Sequence, residues 1–412
     1  MGSFTFKKWN TILGWFVFSI ALVTYWSTVE PTASFWDAGE YITTASNLEV
    51  GHPPGAPLYQ LMGAFFSIFA MEATNIALTI NLMSVFASAF TILFMFWSVT
   101  ILLSNLVKKN DTFTKNNQIA ILGSAVVASL TFAFTDSFWY SAVEAEVYAM
   151  AAFIMSVLFY AGLRWEGEMF TPRGDKWVVL IAFVIGLSFG VHFMGLLTIP
   201  AIGFLYFFKN YNKVTVKNFL IANVVTVAIL LFIFKLLLPM TLRFFSAAEI
   251  FFVNQINMPF NSGTIIAGLL FLAVFYFGLR YTRSKSFVKL NTLLLCVLFI
   301  FIGFSSWLML PIRANAGTVI NENNPNNARE LLAYYNREQY PETHLFYGPL
   351  FTEAYVGLDK DNPFLDDKPK YEKDLNAKKY VIVNDIQNAK QNFEDNQKAF
   401  LPRMWSLEHN AN

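Results

Sequence analysis

The feature that most constrains this chain is the recurrence of apolar runs long enough to cross a bilayer. A helix needs about 20 mostly apolar residues to traverse the hydrocarbon core. Runs near that length fall at 9–28, 75–106, 118–135, 147–163, 177–191, 194–208, 218–240, 263–280 and 290–311, which implies about nine spans. The run 75–106 is long enough to tilt or to project beyond the bilayer. The runs 177–191 and 194–208 are short and separated only around Val191-His192-Phe193, so the count depends on that region by up to two. A shorter stretch, 56–71, opens on Gly and Pro and reads as an interfacial or re-entrant helix. Lys7 and Lys8 precede the first run as in a signal peptide. Its end, Thr24-Tyr25-Trp26-Ser27, is aromatic rather than small, so the run reads as an uncleaved anchor.

Charge divides the chain into an apolar body, 1–311, and a hydrophilic tail, 312–412. Residues 1–311 carry 17 of the 29 Lys+Arg, and the last 101 residues carry the other 12. With the N-terminus inside, 15 basic residues fall in inside segments, while the outside loops before residue 312 hold only Arg243, with Lys235 just inside its span. Basic residues stay on the cytoplasmic side, so the reading is an N-terminus in the cytoplasm and a C-terminus outside it. Phe, Asn and Lys usage suggests an AT-rich bacterial genome, hence a bacterial inner membrane and a periplasmic tail. No basic stripe suited to nucleic acid, no phosphate-cradling glycine loop and no Cys/His metal cluster stands out.

The polar chemistry gathers outside. The first external loop, 29–74, has no Lys or Arg but holds Glu30, Asp37, Glu40, Glu49 and Glu72. Pro31 and the Thr32 and Ser34 hydroxyls suit a helix start, predicting a helix over 35–48. Asp37 and Glu40, three apart, then share one face, flanked by Trp36 and Tyr41, with Gly39 leaving room for close approach. His52-Pro53-Pro54-Gly55 reads as a rigid corner. The second external loop adds Asp136, Glu144, Glu146 and Tyr148, and His192 lies in the next external turn. Carboxylates near a membrane are costly unless paired, hydrated or functional. A close pair under aromatic cover could act as general base for a hydroxyl, or Asp37 and Glu40 could hold a divalent cation. The plain structural reading stands beside this one: external loops are acidic where basic residues are excluded, Glu144 and Glu146 could only cap a helix, and His52 and His192 could only brace their turns. Lys235, Arg243 and Arg313 near the outer surface could snorkel to headgroups or hold the phosphate of a lipid-linked substrate.

SFWDAGEY (34–41), GHPPGAPL (51–58), FWYSAVEAEVYAM (138–150) and GLSFGVHF (186–193) resemble a large, mostly Bacteroidetes, membrane protein family formerly listed as a domain of unknown function. That family is similar to the vertebrate plexin-modifying membrane protein O-mannosyltransferases and resembles GT-C glycosyltransferases. The resemblance covers roughly residues 10–315. It implies an all-α, GT-C-like bundle of about nine transmembrane helices, with interfacial helices in the first external loop and a small C-terminal periplasmic extension. It also implies transfer of a sugar, mannose being the candidate, from a polyprenyl-phosphate donor to a periplasmic protein Ser/Thr or a glycan hydroxyl. Carried over, Asp37 is the candidate catalytic carboxylate and Glu40 its helper or a cation ligand. Trp36, Tyr41, His52, Glu144, Glu146, Tyr148 and His192 would line the substrate, and Lys235, Arg243 and Arg313 the donor phosphate. The resemblance implies a long soluble C-terminal region, of which the tail, 312–412, is either the start or a short variant. The tail, with ARELLAYYNREQYPETHLFYGPLFTEAY at 328–355, reads as partly helical and as a partial cap on the site, with Arg329 and Arg337 on a solvated helix face.

Two other classes fit less well. A transporter or flippase of a lipid-linked precursor places ionisable groups at mid-bilayer on broken helices, commonly in repeated halves, whereas these spans are almost free of charge. A scaffold anchoring a periplasmic tail leaves the density of Trp, Asp, Glu and Pro in the first loop without a purpose.

Overall fold

The computed structural model describes residues 5–110, 113–340, 346–350, 357–367, 369–384 and 390–402. It is an all-α integral membrane fold. The helices are α1 (Phe6–Ser27), α2 (Ala38–Asn47), α3 (Pro57–Ser67), α4 (Ile76–Asn110), α5 (Lys115–Ala133), α6 (Asp136–Ala142), α7 (Val147–Glu168), α8 (Asp175–Ser188), α9 (Thr198–Asn210), α10 (Val216–Leu231), α11 (Leu238–Ile250), α12 (Ser262–Ser284), α13 (Val288–Phe304), α14 (Met309–Asn315) and α15 (Ala328–Asn336). Local sequence sets several of their ends. Thr114 accepts the Asn117 N–H at the start of α5 at 3.2 Å, and Thr215 with Asn218 closes a reciprocal capping box on α10.

Among the described residues, eight helical stretches are long and apolar enough to cross a membrane: 6–27, 73–107, 115–133, 147–168, 193–210, 216–255, 262–284 and 288–315. The ninth expected run, 177–191, folds as the 14-residue α8, about 21 Å long at 1.5 Å per residue and so shorter than a standard span. It nonetheless reaches from one end of the helical body to the other. Lys176 at its start bonds Glu168 at the far end of α7 at 2.7 Å. Gly190 just past its end accepts the Leu58 and Tyr59 N–H groups at 2.7 and 3.1 Å. Its partner is α13, and the two backbones touch: a Cβ at Gly186 would strike Ile300 O, and one at Gly303 would strike Phe183 O. The expected run 218–240 continues unbroken to Gln255 through π-helical segments at Phe232–Leu237 and Phe251–Gln255. A proline inside a helix needs slack in the hydrogen-bond ladder. Pro239 has no N–H to give, and the first wide π turn lies just ahead of it.

The chain forms two compact units, 1–240 with 273–331 and 241–272 with 332–412. Residues 312–331 belong to the first unit. The first unit has a core where α1, α4, α5 and α6 meet, with Val17, Tyr25, Ile92 and Phe96 fully buried. In the second, the buried Glu249 accepts from the Asn261 and Thr264 N–H groups at 2.6 and 2.8 Å and from the Tyr380 hydroxyl at 3.1 Å, capping α12. The Asn254 side chain pairs with the Tyr380 backbone twice, at 2.8 and 2.9 Å. The polar part of the tail, read from the sequence as lacking periodicity, folds into short antiparallel pairs: β1 (Tyr347–Pro349) with β6 (Lys398–Phe400), β2 (Phe364–Leu365) with β5 (Lys390–Gln391), and β3 (Lys370–Asp374) with β4 (Lys379–Asn384). Of the stretch 328–355, residues 341–345 and 351–355 lie outside the described residues.

Candidate functional site

The site is built on the entry to α2. The helix begins at Ala38 rather than at 35, because Asp37 is its N-cap and gives its carbonyl to the Tyr41 N–H at 2.9 Å. The expected caps are used elsewhere: Ser34 donates to Glu144 at 2.7 Å, and Thr32 donates to Glu30 at 2.7 Å. An N-cap Asp ordinarily accepts a first-turn N–H. Here the Asp37 carboxylate makes no such bond. It is 58% exposed and lies 3.9 Å from His52 Nε2.

Glu40 holds His52 at two points. Its Oε1 accepts the His52 backbone N–H at 2.7 Å, and its Oε2 lies 3.0 Å from Nδ1. This approach requires a glycine before the histidine, since a Cβ at Gly51 would stand 2.6 Å from Glu40 Oε1. Gly39, expected to allow close approach, has only an ordinary contact at 4.0 Å to Ala33. The corner is real: Gly55 N–H donates to His52 O at 2.9 Å, and the Pro53–Pro54 bond is cis. Burial works to raise the Glu40 pKa, but the hydrogen bonds and charge of His52 outweigh it and hold the carboxyl below its ordinary value. The same side-chain bond from Glu40 outweighs burial at His52 and, with the charges of Glu40, Asp37 and Glu322, raises the imidazole.

Aromatic residues frame this trio. Tyr41 is buried, its ring centroid 5.7 Å from that of His52. Trp36 is 89% exposed on a backbone at φ +60°. A bulky residue in that left-handed region is strained, and such strain concentrates at functional sites.

Long-range hydrogen bonds bring three separate loops together. Glu30 N–H donates to Val143 O at 3.0 Å, and Asn81 Nδ2 donates to Glu30 O and Thr32 O at 2.6 and 2.9 Å. These contacts set Glu144 and Glu146, at 6% and 7% exposure, beside the first loop. Burial, then the charges of Asp37 and Glu144, push Glu146 up to about 7. Burial also raises Glu144, with the Ser34 hydrogen bond offsetting part of it. Tyr148 is half exposed, 5.6 Å from the His192 ring. His192 caps the 3-10 turn before α9, Nδ1 accepting the Met194 N–H at 3.2 Å, and burial lowers its pKa.

The third loop follows α14 and supplies a residue that sequence reasoning missed. Val50 N–H donates to Ile320 O and Glu322 N–H donates to Val50 O, both at 3.0 Å. This short parallel pairing brings Glu322 within the field of Glu40 and His52. Burial, then the Glu40 charge, raise its pKa, with His52 offsetting. No motif marks Glu322 in the sequence, since its place depends on a pairing between chain segments far apart.

The basic residues are placed differently from the acidic ones. Arg313 donates from Nε to Leu48 O at 2.5 Å and from Nη2 to Asn47 O at 3.2 Å, closing the C-terminus of α2. Lys235 is exposed in the first π segment with Nζ 4.9 Å from the Phe234 ring centroid. Arg243 is exposed and belongs to the second unit. The structure thus gathers Asp37, Glu40, Tyr41, His52 and Glu146 of the expected residues, adds Glu322, and gives Arg313 a capping role. For a metal, one ligand atom from each of Asp37, Glu40 and His52 lies within 4.8 Å of the others.

A bundle of apolar helices with a carboxylate and imidazole cluster where its connecting loops meet defines a multi-pass membrane protein with a polar site at one end. Residues 37–215 match the family model described as the protein O-mannosyl-transferase TMEM260 N-terminal domain. That stretch takes in Asp37, Glu40, His52, Glu144, Glu146, Tyr148 and His192, and ends before Lys235, Arg243, Arg313 and Glu322. Residues 341–412 match a family of unknown function, DUF8416. The chain is similar to "Protein O-mannosyl-transferase tmem260" of Dictyostelium discoideum, 23% identical over 209 residues covering 48% of this chain and 23% of that protein. It is also similar to "Protein O-mannosyl-transferase TMEM260" of Mus musculus, 26% identical over 172 residues covering 42% of this chain and 22% of that protein. The match therefore spans under a quarter of these relatives. No solved structure matches the chain.

Proposed function

We propose that the chain is a membrane glycosyltransferase that moves a sugar, mannose by analogy with the relatives' printed names, to a hydroxyl of a protein. The supporting observation is the Asp37–Glu40–His52 cluster at the start of the stretch matched to the O-mannosyl-transferase N-terminal domain. A GT-C-type reaction at a bacterial inner membrane, with a polyprenyl-phosphate donor and a periplasmic acceptor, fits the apolar body, the basic asymmetry of the loops and the acidic first loop. In this reading the N-terminus lies in the cytoplasm and the cluster faces the other side.

The roles follow from exposure and hydrogen bonding. Asp37 is the accessible carboxylate, not used by its own helix, and serves as base for the attacking hydroxyl. Glu40 orients His52, whose Nε2 faces Asp37 and steadies it. Trp36 and Tyr148 offer exposed rings for the sugar or acceptor, with Tyr41, Glu144, Glu146 and His192 behind them. Lys235 remains a candidate for the departing phosphate, whose charge grows in the transition state. Arg313, occupied by the α2 carbonyls, acts through the shape of the loop.

The test is Asp37→Asn in cells. The variant should accumulate in the membrane at the normal level while glycosylation of extracytoplasmic proteins falls by roughly a hundredfold or more. Accumulation of lipid-linked sugar in the inner leaflet instead would replace this reading with a flippase. Unchanged glycosylation would remove the role of Asp37.

A further inference from the structure

We infer that the turn between α12 and α13 binds the phosphate headgroup of an anionic phospholipid, held by Arg280, Arg283, Lys285 and Lys289. The inference is independent of the transferase reading, because the turn lies at the end of the helical body away from the Asp37 cluster. Trp307, just past the end of α13, donates from Nε1 to Phe189 O at 2.8 Å, beside the Gly190 carbonyl that takes the Leu58 and Tyr59 N–H groups. The start of α13 is therefore at the other end, where Thr292 donates to Asp175, at the start of α8, at 2.7 Å.

Charge marks the place. The four basic residues fall between positions 280 and 289, and all four are exposed. No Asp or Glu occurs from 250 to 321, so the surrounding chain offers them no carboxylate side chain. Asp175, which reaches α13 from α8, is taken up by the Thr292 hydroxyl. Among the described residues, none of the four forms an ion pair. Elsewhere at this end the chain neutralises its own cations: Lys176 and Arg164 meet Glu168 at 2.7 and 3.0 Å, and Lys209 meets Glu166 at 2.7 Å. Unneutralised cations this close repel one another and draw an anion from outside the chain.

The turn that carries them is braced. The buried Thr282 hydroxyl accepts from Asn291 Nδ2 at 2.9 Å and donates to Gly278 O at 2.9 Å, and the Phe287 N–H donates to Thr282 O at 2.9 Å. The Lys285 and Ser286 N–H groups close on Tyr281 O and Arg283 O at 3.0 and 3.1 Å. These bonds tie the last turn of α12 to the first turn of α13. Arg280 and Arg283, three apart on one helix face, are thus presented at a fixed backbone separation from Lys285 and Lys289. A site whose backbone is ordered before binding gives up less freedom when the ligand arrives.

The neighbours of these cations decide the partner. Tyr276, Phe277, Tyr281, Phe287, Val288 and Leu290 are exposed around them. Tyr276 and Phe277 lie one turn below Arg280, which donates to the Tyr276 hydroxyl at 3.4 Å. Basic heads beside exposed aromatic and aliphatic side chains, at the end of a spanning helix, match the headgroup level of a bilayer. A dissolved polyanion would leave those apolar side chains in water. A phospholipid meets both kinds: its phosphate takes the guanidinium and ammonium groups, and its acyl chains run along the exposed face of α12 at Phe277 and Val274.

The test uses the full-length chain in an uncharged detergent, titrated with dioleoyl phosphatidylglycerol or dioleoyl phosphatidylcholine, with bound lipid counted by native mass spectrometry. Phosphatidylglycerol should fill one site per chain, roughly tenfold or more tightly than phosphatidylcholine. Arg280→Gln and Arg283→Gln should each weaken it roughly fivefold, and the pair together roughly twentyfold or more. Lys213→Gln with Lys217→Gln removes the same charge beside the α9–α10 turn at the same end, and should leave the affinity unchanged. The parent alone supplies a second reading, which does not depend on any variant folding. Its preference for phosphatidylglycerol should collapse as salt rises from about 0.05 M to about 0.5 M, because the cations are exposed. Equal binding of the two lipids, a preference indifferent to salt, or a loss shared equally by the Lys213 and Lys217 variant overturns the inference. So does displacement of the lipid by an equal concentration of inorganic phosphate, which assigns a free anion instead. Because the readout contains no sugar, the result leaves the transferase reading where it stood.

Discussion

Glu146 offers the most quantitative test of the site's electrostatics. It is 7% exposed at the N-terminus of α7, and burial followed by the charges of Asp37 and Glu144 lifts its carboxyl from 4.5 to about 7. A native pKa above the unfolded one means that the folded state binds the proton more tightly. The resulting stability is fully present below about pH 4.5 and is lost as pH rises through about 7. The size of that rise corresponds to about 3 kcal/mol, at about 1.4 kcal/mol per tenfold change in proton affinity. Glu146→Gln keeps the shape of the neutral acid and removes the titration. The variant should match the parent near pH 5 and exceed it in stability by up to about 3 kcal/mol at pH 8. Thermal unfolding followed by tryptophan fluorescence from pH 5 to 8.5 reads this difference. His52, also raised, loses stability in the same direction, but it is present in both proteins and cancels in the comparison. Parallel curves for parent and variant across the whole range would show that Glu146 is ionised in the folded chain and that the account of its burial is wrong.

Other outcomes follow from single contacts. Arg313→Ala should lower stability by roughly 2 kcal/mol, as expected for losing charge-assisted bonds to Leu48 and Asn47. Arg313→Lys should restore only part of it in thermal unfolding, because an ammonium cannot reproduce the guanidinium fork. Gly51→Ala should displace Glu40 and cut sugar transfer by roughly tenfold or more in membranes, since its Cβ would sit 2.6 Å from Glu40 Oε1. Trp36→Gly should raise stability slightly, by roughly 1 kcal/mol of relieved left-handed strain, while lowering transfer, so that melting and activity move in opposite directions. In the second unit, Asn254→Ala removes two bonds to the Tyr380 backbone. At roughly 1 kcal/mol each, their loss should expose the β3–β4 hairpin to faster limited proteolysis.

What could be read from the residues in order was whatever depends on local composition. Apolar length marks a membrane helix because the backbone polar groups must be satisfied within each segment once it lies in hydrocarbon. Eight of the nine expected runs accordingly appear as helices of spanning length, and the concentration of acids and aromatics around Asp37 marked the loop in which Asp37, Glu40 and His52 come together. The α8 run was visible, but not that a Gly186–Gly303 crossing would let so short a helix connect both ends. The tail's strands were invisible because a two- or three-residue strand gains its stability from its partner, not from its own pattern. Only the tertiary structure decided that His52 lies between Asp37 and Glu40, that Arg313 closes a helix rather than facing open space, and that Glu322 pairs with the backbone of the first loop. The reason is physical: a hydrogen bond between loops depends on where packed helices deliver their ends, and that placement is a property of the whole bundle rather than of any stretch of it.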